Sequence, residues 1–482
     1  MAGIGFELKK LFREDGKKSN IGGYLISTVV TAGPTVICIL LILFSKYYLE
    51  LQGELYKNIE IFTSAIVYDY ALSLVLTGGV TLLLSRYVSD CFYKDDFKLV
   101  IPSLFGGIII VQAITIIISI FYYNYSPLDS IIKILAIVIL MELNVIWLQC
   151  IYITGVKDYF GILYAFLIGV LGVFVTVVLL NMFANISPVI SVMIGISVGF
   201  FIMIVWLLYK LIRYYGLEDF TSRDIFHFIT SIDKNYKLIL IGTFYFIGIF
   251  IHNVVFWFSD EGTIIGETYH IAEFYDVPIF YAMLTIIASS VLFVVKVETS
   301  FYGKFKEFYG LVRKHGSIVE IENSKETMIH TLFTELRFIM VAQFIITFLS
   351  ITIGISLLPR IGASMLMVDI FTIVALAAYC QINMFNIMLI MLYFDDMNGA
   401  TLVSIVFVVG VALFTWISLK FGESFYGYGF FTGATIALLV AFIRLVYYLK
   451  NIDYYVFLRQ PIYARKNKGI FVKLYNLLYR AK

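Results

Sequence analysis

About twelve runs of apolar residues, each long enough to cross a bilayer and each closed by a short polar break, dictate what this chain can fold into. They fall near residues 22–48, 59–84, 99–123, 131–154, 159–183, 188–209, 238–258, 274–295, 337–358, 366–393, 399–419 and 425–448. Hydrophobic residues make up 61% of the 482-residue chain, against about 45–50% in soluble domains. A water-soluble core has no room for that much apolar surface in so regular a pattern. Helices also satisfy every backbone group internally, which a bilayer demands. The sequence therefore reads as an all-α, polytopic membrane protein with about 12 transmembrane helices.

The net charge of +2 hides an asymmetry. With the N-terminus in the cytoplasm, only Lys46, Lys57, Lys133, Arg360 and Lys420 among the 35 Lys and Arg fall on or near the outer face. This is a positive-inside pattern with both termini cytoplasmic, and an odd number of spans would put the basic tail outside. The connection after the sixth run divides the chain. The expected order is a basic N-terminal segment 1–21, a first lobe 22–212, a cytoplasmic linker 213–237, a second lobe 238–449 and a basic tail 450–482. Two lobes of six helices suggest parallel repeats, although no residue-level repeat is evident.

Residues 1–20 are too basic, and the first apolar run too long, for a signal peptide. Cys38, Cys150 and Cys380 fall within spans and Cys91 in an inner loop, so no disulfide is expected. No P-loop, HExxH or CxxC pattern occurs. No cofactor, metal, nucleic-acid partner or catalytic activity is expected. The segment 301–315 places Phe301, Phe305, Phe308 and Leu311 at helix spacing among Lys and Arg. It reads either as an amphipathic helix on the inner leaflet or as a loop helix packed on the bundle. The outer loop 259–273 carries Asp260, Glu261, Glu267 and Glu273 without a Lys or Arg.

Charges at membrane depth are costly and usually face a cavity or a partner. Asp69, Glu142 and Asp369 stand there with no Lys or Arg near mid-membrane. Asp369, Thr372, Tyr379, Asn383 and Asn386 share an arc of about 100° on the tenth helix, and Glu142, Gln149 and Tyr152 one of about 80° on the fourth. Tyr24, Thr28, Thr31 and Thr35 line one side of the first helix, and Asp69, Ser73 and Thr77 one side of the second. Such stripes suit a hydrated substrate path between lobes. They equally suit interhelical hydrogen bonding, which Ser, Thr and Asn often provide. His252 reads as a packed histidine. Gly33-Pro34 breaks the first helix's hydrogen-bond ladder and is a hinge candidate or a static bend.

MAGIGFELKKLF at 1–12, followed by a basic stretch and a first helix carrying Ser27 and Gly33-Pro34, resembles the start of the PelG family, the inner-membrane transport subunits of Pel exopolysaccharide systems. Chain length and helix layout are similar throughout. PelG proteins are in turn similar to the multidrug/oligosaccharidyl-lipid/polysaccharide flippase superfamily. The resemblance implies two six-helix lobes around a central cavity in the bacterial cytoplasmic membrane. It implies as partners a cytosolic PelF-like glycosyltransferase, PelD- and PelE-like membrane proteins, and membrane lipid. It implies as substrate an N-acetylhexosamine-rich polysaccharide. Lipid-diphosphate flippases of the superfamily carry basic cavity residues, whereas the membrane-depth charges here are acidic. The expected function is export of a growing polysaccharide. A lipid-linked oligosaccharide flippase, an ion-coupled antiporter using Glu142 and Asp369, and a scaffold for the glycosyltransferase are the alternatives.

Overall fold

Apolar runs of this length have one low-cost solution in a bilayer, and the structure, a computed structural model, adopts it. It describes residues 17–156, 158–183, 186–216, 220–458 and 469–479. The first half contains α1 (Lys17–Leu51), α2 (Tyr56–Tyr93), α3 (Val100–Tyr123), α4 (Ser130–Gly155), α5 (Tyr159–Phe183) and α6 (Pro188–Tyr215). The second contains α7 (Ile232–Trp257), α8 (Glu273–Leu284), α9 (Ile287–Lys296), α10 (Tyr302–Arg313), α11 (Ile318–Leu357), α12 (Met365–Tyr393), α13 (Met397–Phe421) and α14 (Tyr428–Lys450). A tail helix, α15 (Ile470–Leu478), follows. Among the described residues 11 helices are long and apolar enough to span a membrane. α1, with 35 residues, supplies the twelfth by length, its side chains before Gly33 lying outside the described residues.

The eighth span is broken rather than continuous. α8 ends at Leu284 and α9 resumes at Ile287, with Pro278 inside α8. The break frees the carbonyl of Thr285, and the Gln343 side chain of α11 donates to it at 3.1 Å. A neighbouring helix thus satisfies backbone that the span itself cannot. α11 has 40 residues, about 60 Å at 1.5 Å per residue, and so runs well past the bilayer on its N-terminal side. A capping box of Ser317 and Glu320 starts it. α10 forms where the sequence placed an amphipathic helix. Phe301, which leads into it, and Phe308 are fully buried, and Phe305 meets Tyr393 and Phe394 at the end of α12, with ring centroids 6.3 and 5.5 Å apart. Its apolar side packs on the bundle.

The outer loop contains an element that the sequence reading lacked. Thr263–Ile265 (β1) and Tyr269–Ile271 (β2) form an antiparallel hairpin. It is tied to the first half by phenols. Tyr68 donates to the carbonyl of His270 and accepts from its N–H, at 2.7 and 3.0 Å, and Tyr123 and Tyr269 share a hydrogen bond. Trp257 stacks on Tyr68 at 4.7 Å.

Packing divides the described chain into two units. Of the described residues, one comprises those within 34–250, 256–272 and 469–479; the other comprises 17–33, 251–255 and 273–458. The divisions fall at Gly33–Pro34 within α1 and at Phe250–Ile251 within α7, inside the first helix of each half. α7 up to Phe250 packs with the first half. Within the first unit α2 and α7 cross at Gly78, Gly79 and Gly242, where a Cβ on Gly242 would collide with the Gly78 carbonyl. Small residues at such crossings let membrane helices approach closely.

Each unit carries the same device at one end of its spans. Asp158 precedes α5 in the sequence Asp-Tyr-Phe-Gly, and its carboxylate accepts the Gly161 N–H at 2.8 Å and Lys210 of α6 at 3.0 Å. Asp396 precedes α13 in Asp-Met-Asn-Gly, accepts the Gly399 N–H at 3.1 Å, and binds Arg444 of α14 through two bonds of 2.8 Å. Gly199 on α6 packs on Gly169 of α5 and Gly433 on α14 packs on Gly410 of α13. Each precedes its Lys or Arg by the same interval, from 199 to 210 and from 433 to 444. These are the residue-level counterparts that a repeat requires.

Candidate transport site

The candidate path residues are held by the helices just described. On α4, Ser197 of α6 donates to Glu142 Oε1 at 3.0 Å, while Glu142 Oε2 is buried without a hydrogen-bond partner. Asn144 donates to Thr115 of α3 at 2.8 Å, Gln149 to the carbonyl of Ile204 on α6 at 3.2 Å, and Trp147 to Ser73 of α2 at 3.0 Å. Tyr152 and Ser103 share a bond of 2.8 Å. One helix therefore bonds to α2, α3 and α6. Interhelical bonds of this kind are worth about 0.6 kcal/mol each in a membrane, so the set fixes register more than it supplies stability. Gln149 is 1% exposed and leaves no surface for a substrate within this unit.

Asp69 differs. It is buried in α2, and its Oδ2 has no hydrogen-bond partner. The phenols of Tyr122, Tyr123 and Tyr269 lie within its electrostatic range. A cavity of about 40 Å³ lies in the same unit, lined by Cys38, Leu41, Ile66, Tyr70, Ile146 and Trp147. An apolar void of about 150 Å³ is known to take up benzene; this one is far smaller and holds no sugar ring.

α12 is the most enclosed span of the second unit. Asn383 and Asn386 are buried, donating respectively to the carbonyl of Tyr379 at 2.8 Å and to Ser289 of α9 at 3.4 Å. Thr372 turns back to the Val368 carbonyl, Tyr379 packs edge-on against Phe344 at 5.8 Å, and Asp369 is exposed. The stripe read from the sequence thus splits into an exposed acid and two buried amides, of which Asn386 joins α12 to α9 and Asn383 bonds back within α12. His252 is fully buried, stacked on Phe430 at 4.1 Å and edge-on to Tyr275. Asn253 beside it donates to Asp276 at 2.7 Å. Pro34 is accommodated within α1. The side chains of Thr31 and Thr35 lie outside the described residues. Among the described residues no group of three or more His, Cys, Asp or Glu is placed to hold a metal ion.

The sequence reading missed Asp158, Lys210, Asp396 and the pairing of Arg444. At Asp158, desolvation works against the charged form. The hydrogen bond from Lys210, the Gly161 N–H, the Lys210 charge and the Tyr214 hydroxyl outweigh it and hold the carboxyl below the usual carboxylate range. The available signal was the shared Asp-x-x-Gly at the start of two spans, each followed in the last turns of the next by a cation, Lys210 or Arg444.

A family model, PelG, described as "Putative exopolysaccharide Exporter (EPS-E)", matches residues 1–457. The chain belongs to the PelG family. Similar solved structures are the eukaryotic MATE transporter AtDTX14, with 9% identity and a TM-score of 0.63 over 88% of this chain and 95% of that one. An outward-facing multidrug resistance MATE transporter of the MOP superfamily follows, with 13% identity and a TM-score of 0.59 over 89% and 96%. The Vibrio cholerae MATE transporter VcmN in its bent form has 10% identity and a TM-score of 0.59 over 90% and 97%. No curated protein matches. At these identities the likeness concerns the fold, which is that of a MATE-type transporter. This PelG-family protein is therefore a multi-pass membrane transporter.

Proposed function

We propose that this PelG-family protein passes a growing, N-acetylhexosamine-rich exopolysaccharide across the bacterial cytoplasmic membrane as part of a synthase-dependent complex. The observation that carries the reading is a family match over residues 1–457 on a chain with a MATE-type fold. The path residues are Asp69, Glu142, Asp369, Thr372 and Tyr379, with Thr31 and Thr35 on α1; Gln149, Asn383 and Asn386, buried and hydrogen-bonded here, reach the path only in a second conformation of the transporter. Gly33 and Pro34 act as the hinge. The partners are a PelF-like glycosyltransferase on the cytoplasmic side and PelD- and PelE-like membrane proteins. Chain elongation by the glycosyltransferase, or the membrane potential at about 2.3 kcal/mol per charge per 100 mV, would supply the driving force.

Acidic rather than basic groups at membrane depth support a neutral or amino-sugar polymer over a lipid diphosphate. The unpartnered carboxylate oxygens of Asp69 and Glu142 favour a second reading, ion-coupled transport. Export by cells carrying Glu142→Gln and Asp69→Asn separates the two. Polymer secretion that survives both substitutions supports a path pushed by synthesis. Secretion lost in both, with the protein still inserted, supports ion coupling. Normal secretion in cells lacking the protein altogether removes the transport reading.

A further inference from the structure

α15 is a short helix with three distinct faces. One face is docked. Asp233 caps its N-terminus, accepting from Phe471 N–H at 3.2 Å and Val472 N–H at 2.9 Å. Tyr475 donates to the Arg223 carbonyl at 3.1 Å, Tyr479 to the Ser222 carbonyl at 2.7 Å, and Arg223 to the Tyr479 carbonyl at 3.2 Å. The His227 ring meets Tyr475 edge-on at 5.8 Å. Val472, Tyr475 and Tyr479 share this side. On the opposite side, Ile470, Phe471, Leu474 and Leu477 occupy an arc of about 120° at 100° per residue. They are 79, 36, 45 and 72% exposed. Lys473 and Asn476 form the third, polar face.

The docking segment also fixes the depth of the helix. His227 accepts or donates a 2.8 Å bond with Tyr87 of α2, and Phe228 is buried against Gly106 of α3. Gly106 lies six residues into α3, which is about 9 Å along a helix whose 24 residues span about 36 Å. The bilayer's hydrocarbon core is about 30 Å thick. With the helix centred on that core, Gly106 lies about 6 Å inside it, so residues 222–233, and α15 bound to them, sit close to the boundary between headgroups and hydrocarbon. The sequence around α15 adds Arg459, Arg465, Lys466, Lys468, Arg480 and Lys482, with Asp453 the last acid before the chain end.

We infer that α15 lies in the plane of the cytoplasmic leaflet and binds anionic phospholipid. Its apolar arc enters the acyl boundary, Lys473 on the polar face meets the headgroups, and the basic sequence on either side of the helix favours an anionic surface. Interfacial helices combine these two signals, an apolar face and a basic surround. Each Lys or Arg near an anionic surface contributes about 1 kcal/mol, and the contribution falls off within about a Debye length. Because α15 grips the α6–α7 connection, its lipid contact ties the composition of the leaflet to a segment between the halves. This inference stands apart from the identity of the transported substrate.

The test uses the full-length protein in nanodiscs of phosphatidylcholine alone or mixed with phosphatidylglycerol. An environment-sensitive fluorophore is attached through Leu477→Cys or, on the polar face, Asn476→Cys. The expected result is blue-shifted emission at position 477, quenched by lipid carrying a doxyl group near the glycerol end of the chain. The effect should be larger with phosphatidylglycerol and reduced by high salt, with little change at position 476. Equal, water-like emission at both positions would overturn the inference. So would shielding of position 477 that appears only when a cytosolic extract is added, which would assign the face to a protein. Amide hydrogen exchange across 470–478 in the unlabelled protein provides an independent readout. Protection should be greater in phosphatidylglycerol nanodiscs than in a lipid-free amphipol, and equal exchange in both would also overturn it.

Discussion

Removing the Asp396 carboxylate should be among the most damaging single changes to the second unit. Asp396 is 1% exposed, and Arg444, which binds it through two bonds of 2.8 Å, is 21% exposed. Breaking a buried ion pair from one side costs about 3–5 kcal/mol, because the remaining charge stays desolvated. The residual exposure of Arg444 puts the expected cost near the lower end, about 3 kcal/mol. Asp396 also caps α13 through Gly399, so Asp396→Ala should cost about 1 kcal/mol more than Asp396→Asn, which retains an acceptor. The Asp158–Lys210 pair, with both side chains partly exposed at 13 and 21%, should lose only about 1–2 kcal/mol on Asp158→Ala, mostly through the lost cap. Unfolding in detergent can be followed by the reaction of the buried thiols Cys91 and Cys380 with a fluorogenic maleimide. The order of unfolding midpoints should be wild type, Asp158→Ala, Asp396→Asn, Asp396→Ala. The double variant Asp396→Leu/Arg444→Met should lie above Asp396→Ala, since it leaves no orphan charge. A double variant less stable than Asp396→Ala, or equal midpoints for Asp396→Ala and Asp158→Ala, would refute the argument.

Three further predictions follow from the same structure. A reporter at Gly262 should read outside and ones at Ser222 or Lys468 inside, as scored by a paired phosphatase and fluorescent-protein fusion. Gly433→Val should prevent folding, because its side chain would meet the backbone of Val411 at 2.6 Å, whereas Gly310→Val, with nothing within 4 Å, should be tolerated; yield by size-exclusion chromatography checks both. The Asp158 carboxyl is held below its unfolded value, so its stabilising contribution is complete above about pH 4 and is lost as pH falls through the folded-state value. Asp158→Asn should therefore flatten the acid limb of the stability profile while leaving its shape above pH 6 unchanged.

The spans were legible because a bilayer reads only length and hydropathy. Their ends were not. α2 was expected to stop at 84, yet it runs to Tyr93, since Arg86 and Asp90 pair one turn apart and the helix continues into water. α11 starts at Ile318 rather than 337 for a related reason, because charged residues end a membrane span without ending a helix. The broken eighth span was hidden, since Thr285 and Ile286 differ little from their neighbours in hydropathy and the break is stabilised by Gln343 from another helix. The hairpin had strands of only three residues, too short for an alternating pattern.

The candidate site was legible in composition and not in partnership. Asp69 and Glu142 were found as membrane-depth acids, but only geometry shows which of their oxygens lack a partner. Asn383 and Asn386 lay on one stripe in projection, yet Asn386 is bonded to Ser289, more than ninety residues away in the chain. The repeat escaped because four residues around each cap are separated by unrelated apolar sequence. A cap and a cation become a pair only when two helices have packed.

The account's central claim is that polymer crosses the membrane through this protein. The direct measurement uses sealed inside-out membrane vesicles that contain it together with its cognate glycosyltransferase complex. They are supplied with radiolabelled UDP-N-acetylhexosamine and then treated with a glycosidase from outside. The account predicts labelled polymer protected inside the vesicles, full-length in the wild type and absent when the protein is omitted, with no label extractable as a lipid-linked intermediate. Polymer that accumulates inside without the protein, or label that first appears on lipid, would contradict it.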